Sequence, residues 1–206
     1  MKKILLIALF FLFNVLCFGR RPSAKVLKKF TNCYTGKATN IRSKLNIDGY
    51  FDLVELGHWT YGYGKHRSVE DSSHMYFIFY EDGTFLSNPT VAPGYLDFTD
   101  YWYALNNNDP AGLKYIGEWG VYSIDGDTIK AQWIDRRKPV WRSWEERYKI
   151  VDRNTLVFIG SDNLFLKQHN SFDLSKHNYL PTKFIACDTL PLPNSWLKEE
   201  KWIWCK

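Results

Sequence analysis

Five histidines, four cysteines and one pair of adjacent glutamates are the residues of this chain with most chemistry to offer, and their spacing withholds it. His58, His66, His74, His169 and His177 form no H-E-x-x-H pair, the spacing that sets two ligands on one helical face. No Gly-x-Ser-x-Gly elbow presents a nucleophile. Tyr34-Thr35-Gly36-Lys37-Ala38-Thr39 lacks the upstream glycine of a phosphate loop. Glu145 and Glu146 are neighbours, so on a strand they point to opposite faces and do not act as a carboxylate pair on one substrate; they read as a solvated strand end. Tetrahedral zinc asks for ligands in close pairs, and Cys33, Cys187 and Cys205 stand far apart with no histidine at ligand spacing. The expectation is a protein with no catalytic residue, no metal and no cofactor, and therefore not an enzyme.

The conspicuous supply is aromatic: nine Trp, 13 Tyr and 14 Phe. Trp119, Trp133, Trp144 and Tyr148 fall on strand-like segments at positions that alternate with polar residues, as in Ile129, Ala131 and Trp133 against Thr128, Lys130 and Gln132. Trp144, Tyr148 and Ile150 alternate in the same way with Glu145, Arg147 and Lys149. These rings are expected inside a barrel or near its mouth, as pocket wall or as core filler. Tyr101 and Trp102 belong to a long irregular stretch, Pro89 to Lys114, which reads as a flap over the open end. Arg136-Arg137-Lys138-Pro139-Val140-Trp141-Arg142 gathers four cations near two tryptophans; it reads as a solvated hairpin loop, with an anion site as the alternative.

The elements that must position these rings are strands. Met75 to Tyr80 and Thr84 to Leu86 flank Glu81-Asp82-Gly83, and Trp119 to Ile124 and Thr128 to Ile134 flank Asp125-Gly126-Asp127. Trp144 to Val151 and Thr155 to Ile159 flank Asp152-Arg153-Asn154, and Gly160-Ser161-Asp162 reads as a further turn before a strand at Asn163 to Lys167. With Tyr50 to Leu56 opening the set, the count is about eight strands and no strong amphipathic helix between them. That excludes a parallel α/β sheet, whose crossovers need helices. Closing such a sheet into an up-and-down barrel removes its edges.

Lys2 and Lys3, the apolar run Ile4 to Phe13 and the narrow residues Cys17 and Gly19 have the order of a secretory leader, so residues 1–19 are read as a signal peptide and the destination as extracytoplasmic: periplasm, cell envelope or secreted. Cleavage after Gly19 leaves 187 of the 206 residues. The second route is acylation of Cys17 as in a lipoprotein, for which Asn14-Val15-Leu16 is a poor lead-in; membrane association is expected only by that route. No segment approaches the roughly 20 apolar residues of a transmembrane span. Two of the 27 basic residues and none of the 22 acidic ones lie in the leader, so the mature net charge is +3, too small and scattered for a nucleic-acid partner. In an oxidising compartment Cys33, Cys187 and Cys205 are disulfide candidates, with Cys33 expected to bond a tail cysteine.

Leu45-Asn46-Ile47-Asp48-Gly49-Tyr50-Phe51, Phe79-Tyr80-Glu81-Asp82-Gly83-Thr84-Phe85, Gly117-Glu118-Trp119-Gly120 with Tyr122, Gly126-Asp127-Thr128-Ile129 and Glu146-Arg147-Tyr148 resemble exported bacterial lipocalin-like proteins of the uncharacterised lipoprotein type. The resemblance covers roughly residues 45 to 168 and rests on turn and core signatures, so it implies the fold: an all-β, antiparallel, calycin-type barrel. It supplies no catalytic residues. The expected organisation is a signal peptide over 1–19, an arm over 20–44, the barrel over 45–168 and a docked tail over 169–206. The expected function is non-enzymatic binding of a small apolar or amphipathic ligand in a barrel pocket, with a filled structural or protein-interaction module as the alternative.

Overall fold

Apolar alternation and short turns produce nine strands in the computed structural model, which describes residues 24–56, 72–87, 103, 106–108, 117–135, 142–164 and 178–205. They are β1 (Gly49–Leu56), β2 (Ser72–Phe79), β3 (Thr84–Ser87), β4 (Glu118–Asp125), β5 (Thr128–Asp135), β6 (Arg142–Asp152), β7 (Thr155–Asn163), β8 (Asn178–Tyr179) and β9 (Thr182–Ala186). Each of β1 to β6 pairs antiparallel with the next, β7 pairs with β9, and β9 returns to β1. The result is a closed eight-stranded up-and-down barrel of lipocalin-like architecture. Strand β8 continues β9 along β1 across Leu180-Pro181, where the proline has no N–H to give the ladder.

Two local readings of the sequence are corrected. Gly160-Ser161-Asp162 is no turn: β7 runs through it, paired with β6 as far as Asn163, and the irregularity is a bulge at Ile159, since Tyr148 faces Phe158 while Arg147 faces Gly160. The eighth stave therefore comes from 178–186, within the stretch read as a docked tail beyond residue 168.

The two ends of the barrel differ. The β2–β3, β4–β5 and β6–β7 turns share one end, where Gly83 and Gly126 take φ of 87° and 57°. Ahead of β1, a 3-10 turn at Ile41–Ser43 and the residues after it fill that end, with Ile41, Leu45 and Ile47 buried against Phe51 and Phe79. Thr39 N donates to Glu81 O at 2.6 Å, Lys44 Nζ to Gly126 O, and Asn46 N to Arg153 O at 2.9 Å, so the plug is bonded to all three turns. Leu56, Ser72, Ser87, Glu118, Asp135, Arg142 and Asn163 end their strands at the opposite end, termed the mouth.

Residues 30–34 and 187–205 form a belt on the outer wall of β2 to β5. Cys33 and Cys205 are disulfide-bonded, and Tyr34 pairs with Trp204 as a parallel bridge. Beneath them Ile78, Tyr80, Leu86, Trp119, Val121 and Ile134 pack with Trp196, Leu197 and Ile203 in a second core distinct from the barrel interior. Gln132 anchors the arm: its side-chain oxygen accepts from Thr31 N and Asn32 N, both at 2.8 Å, and its nitrogen donates to Glu145 Oε2 at 2.7 Å.

Candidate binding site in the barrel mouth

Strand parity decides what lines the interior. Along β5, Ile129, Ala131 and Trp133 face inward, and their partners on β6 are Tyr148, Glu146 and Trp144. On β3 and β4, Phe85, Ser87, Glu118 and Tyr122 share the inward face with Gly120. Gly120 sits opposite Trp133, and a Cβ there would lie 2.2 Å from Gln132 O and 2.8 Å from Trp133 Cβ. Glycine makes the space that the indole uses.

The closed half of this interior is packed with rings. Phe51, Phe77, Phe79 and Phe85 surround Tyr148, whose ring lies 5.1 Å from Phe77 and 5.6 Å from Phe158. Nearer the mouth the lining turns polar. Trp133 and Trp144 stack with centroids 5.8 Å apart and planes at 21°. Glu146 lies next along β6, opposite Ala131 on one side and Ser161 on the other. The bulge at Ile159 sets that register: Leu156 and Phe158 face inward below it, and Ser161 meets Glu146 above it.

Glu146 faces the interior and keeps part of its surface accessible. Tyr148 Oη donates to Glu146 Oε2 at 2.6 Å. Burial pushes the carboxyl above its ordinary range; the Tyr148 hydroxyl and, more weakly, the Trp133 indole N–H act the other way. That indole N–H reaches no partner at hydrogen-bond geometry, and neither does Ser87 Oγ on the same inner wall. Tyr148, its hydroxyl raised well above the usual phenol range by burial and then by Glu146, stays protonated as a donor.

Of the rings singled out in the sequence, Trp133, Trp144 and Tyr148 are brought together here. Trp119 is not: it stands on the outer face of β4 under the belt, stacked on Tyr80 at 5.6 Å, because its neighbours Gly120 and Tyr122 take the inward parity. Tyr101 and Trp102 lie outside the described residues, as do residues 1–19 and the loop cations Arg136, Arg137 and Lys138. The two glutamates do point to opposite faces, but neither is a solvated strand end. Glu145 is buried on the outer wall against Gln132, with Arg147 Nη1 at 3.7 Å, and Glu146 faces the interior. Glu146 is thus the site residue that was missed, although its shared parity with Trp144 and Tyr148 marks it as inward. His74 lies on the outer wall, its Nδ1 2.9 Å from Asp52. Among the described residues no helix is long and apolar enough to cross a membrane. No family model, curated protein or solved structure matches the chain.

Proposed function

We propose that this is an extracytoplasmic, non-enzymatic binding protein of the bacterial lipocalin-like kind, holding a small apolar or amphipathic ligand in the mouth half of its barrel. The carrying observation is the pair of unpartnered buried atoms, Ser87 Oγ and Trp133 Nε1, on an inner wall that also holds Trp144 and Glu146. Desolvating such a group without compensation costs about 1–3 kcal/mol, so a barrel filled only by its own side chains gains nothing from them. A ligand with an apolar body and a polar end uses both the rings and the orphan atoms. Export is supported by Lys2, Lys3 and the run Ile4 to Phe13, and by the Cys33–Cys205 bond, which persists in an oxidising compartment.

The test is native mass spectrometry of protein recovered from the exported fraction, which reports a retained ligand and any acyl group on Cys17 together. In parallel, an apolar fluorescent probe is expected to bind at about one per chain and quench tryptophan emission, with weaker binding to a folded Trp133→Ala variant. If no retained ligand and no probe binding are found while the barrel stays folded, the structural-module reading replaces this one.

A further inference from the structure

The Glu146 carboxyl takes the Tyr148 hydroxyl on one oxygen, feels the Trp133 indole N–H more weakly, and has no cationic partner among the described residues. No lysine, arginine or histidine shares the inward face among the described side chains; Arg147 and Lys149, its neighbours in β6, point to the outer wall. A carboxyl enclosed in this way is normally matched by a cation or replaced by an apolar residue. Here it keeps part of its surface accessible on the inward face, with a stacked indole pair one step nearer the mouth.

We propose that the mouth half of the barrel selects an organic amine: an ammonium group seated at Glu146, carried on an apolar or aromatic body that packs against Trp133 and Trp144. The assignment rests on the binding reading above and names the ligand class for the same site. An ammonium supplies what the described side chains leave out, a charge-assisted donor to a carboxylate met otherwise by one phenol and, more weakly, one indole N–H. The indole faces add attraction for the same cation, strongest where water is excluded. In the ligand-free protein burial favours the neutral carboxyl, and an ammonium at hydrogen-bond distance reverses that preference. The orphan donor at Trp133 Nε1 and the hydroxyl of Ser87 remain for a polar substituent on the ligand body or for water carried in with it.

The experiment is calorimetric titration of the full mature chain with a matched panel. Three bodies are used, indolylethyl, phenylethyl and octyl, each as the amine, the alcohol and the carboxylate of similar length. For at least one body the amine is expected to bind about tenfold or more tightly than its alcohol, and the carboxylate weakest of the three. In Glu146→Gln, checked for folding by circular dichroism, the preference for amine over alcohol is expected to shrink to about twofold or less. Alcohols binding as well as amines, or a preference untouched by Glu146→Gln, overturns the amine assignment while leaving the binding reading standing. Binding by no member of the panel overturns both.

Discussion

Replacing both members of the Cys33–Cys205 pair with serine tests how the belt is held. The bonded residues are 172 apart in sequence, so the crosslink closes nearly the whole folded chain. In the chain-entropy model a loop of this size confines the unfolded ensemble by about 5 kcal/mol at 25 °C, and measured contributions commonly fall to about 2–4 kcal/mol. The non-covalent contacts at the same place survive the substitution. Tyr34 N still donates to Ile203 O at 2.7 Å, Cys205 N's bond to Tyr34 O at 3.0 Å is a backbone bond, and the Tyr34 and Trp204 rings still meet edge to face at 4.8 Å. The native belt therefore stays docked, and the loss falls on the unfolded state. With a urea dependence of about 2 kcal/mol per molar, a loss of about 3 kcal/mol moves the midpoint down by about 1.5 M, and the steepness rises because the freed unfolded chain exposes more surface. Tryptophan emission reports the transition, since Trp119 and Trp196 under the belt and Trp133 in the barrel are buried. A midpoint unchanged within about 0.2 M, with unchanged steepness, refutes the account. An early separate transition refutes it in another way, by showing that the belt undocks without its crosslink.

Three further outcomes follow from single side chains. The Glu146 carboxyl is raised above its ordinary 4.5, so its contribution is fully present below that value and is lost as pH rises through the folded-state value; the stability of the parent relative to Glu146→Gln should decline upward from about pH 4.5 and then level off, as urea midpoints across the range will show, and a difference independent of pH defeats the burial assigned to it. Gly120→Ala places a Cβ 2.2 Å from Gln132 O, so it should destabilise by about 1–3 kcal/mol or more and alter the near-ultraviolet dichroism of Trp133; a parent-like variant rules out that strand register. Gln132→Ala strips the acceptor from Thr31 N and Asn32 N, which should cost about 1–3 kcal/mol and remove hydrogen-exchange protection from those two amides; retained protection contradicts the anchor.

The hairpins were legible because their signals are local. Gly83 and Gly126 sit where the turn needs positive φ, and apolar alternation around them fixes the strands that meet there. What failed depends on partners distant in sequence. Gly160-Ser161-Asp162 has turn composition, and only its continued pairing with β6 from Arg147 to Glu145 keeps it inside one strand, just past the bulge at Ile159. Strand β9 is short and follows Pro181, so its place in the barrel comes from β1 and β7, not from its own pattern. Trp119 was misassigned because β4 is apolar on both faces: one side fills the barrel, and the other is covered by a belt whose anchor, Thr31 to Gln132, spans 101 residues. Glu146 was readable, since it shares the parity of Trp144 and Tyr148, but the wet character of its neighbour Glu145 was extended to it.

The asymmetry between the two ends bears on why Glu146 is there at all. At the closed end the polar groups are answered: Tyr122 Oη donates to Tyr80 O at 2.6 Å and lies 2.7 Å from Thr39 Oγ1, and the plug satisfies the three turns. On the outer wall Gln132 and Glu145 satisfy each other, and Arg147 bonds Asp162 at 2.9 Å. Nothing in the fold prevents the same treatment inside the mouth half. A leucine or methionine at 146, opposite Ala131 and beside Tyr148, would remove an enclosed carboxyl and lengthen the apolar column, and such replacements of buried charge are commonly neutral or stabilising. Among the described residues the inner wall keeps one carboxyl without a cation and one indole N–H and one hydroxyl without a hydrogen-bond partner of good geometry, and the outer wall adds a single such hydroxyl, Ser143 Oγ. Departures gathered on one wall in that way mark the surfaces a protein keeps for something other than itself.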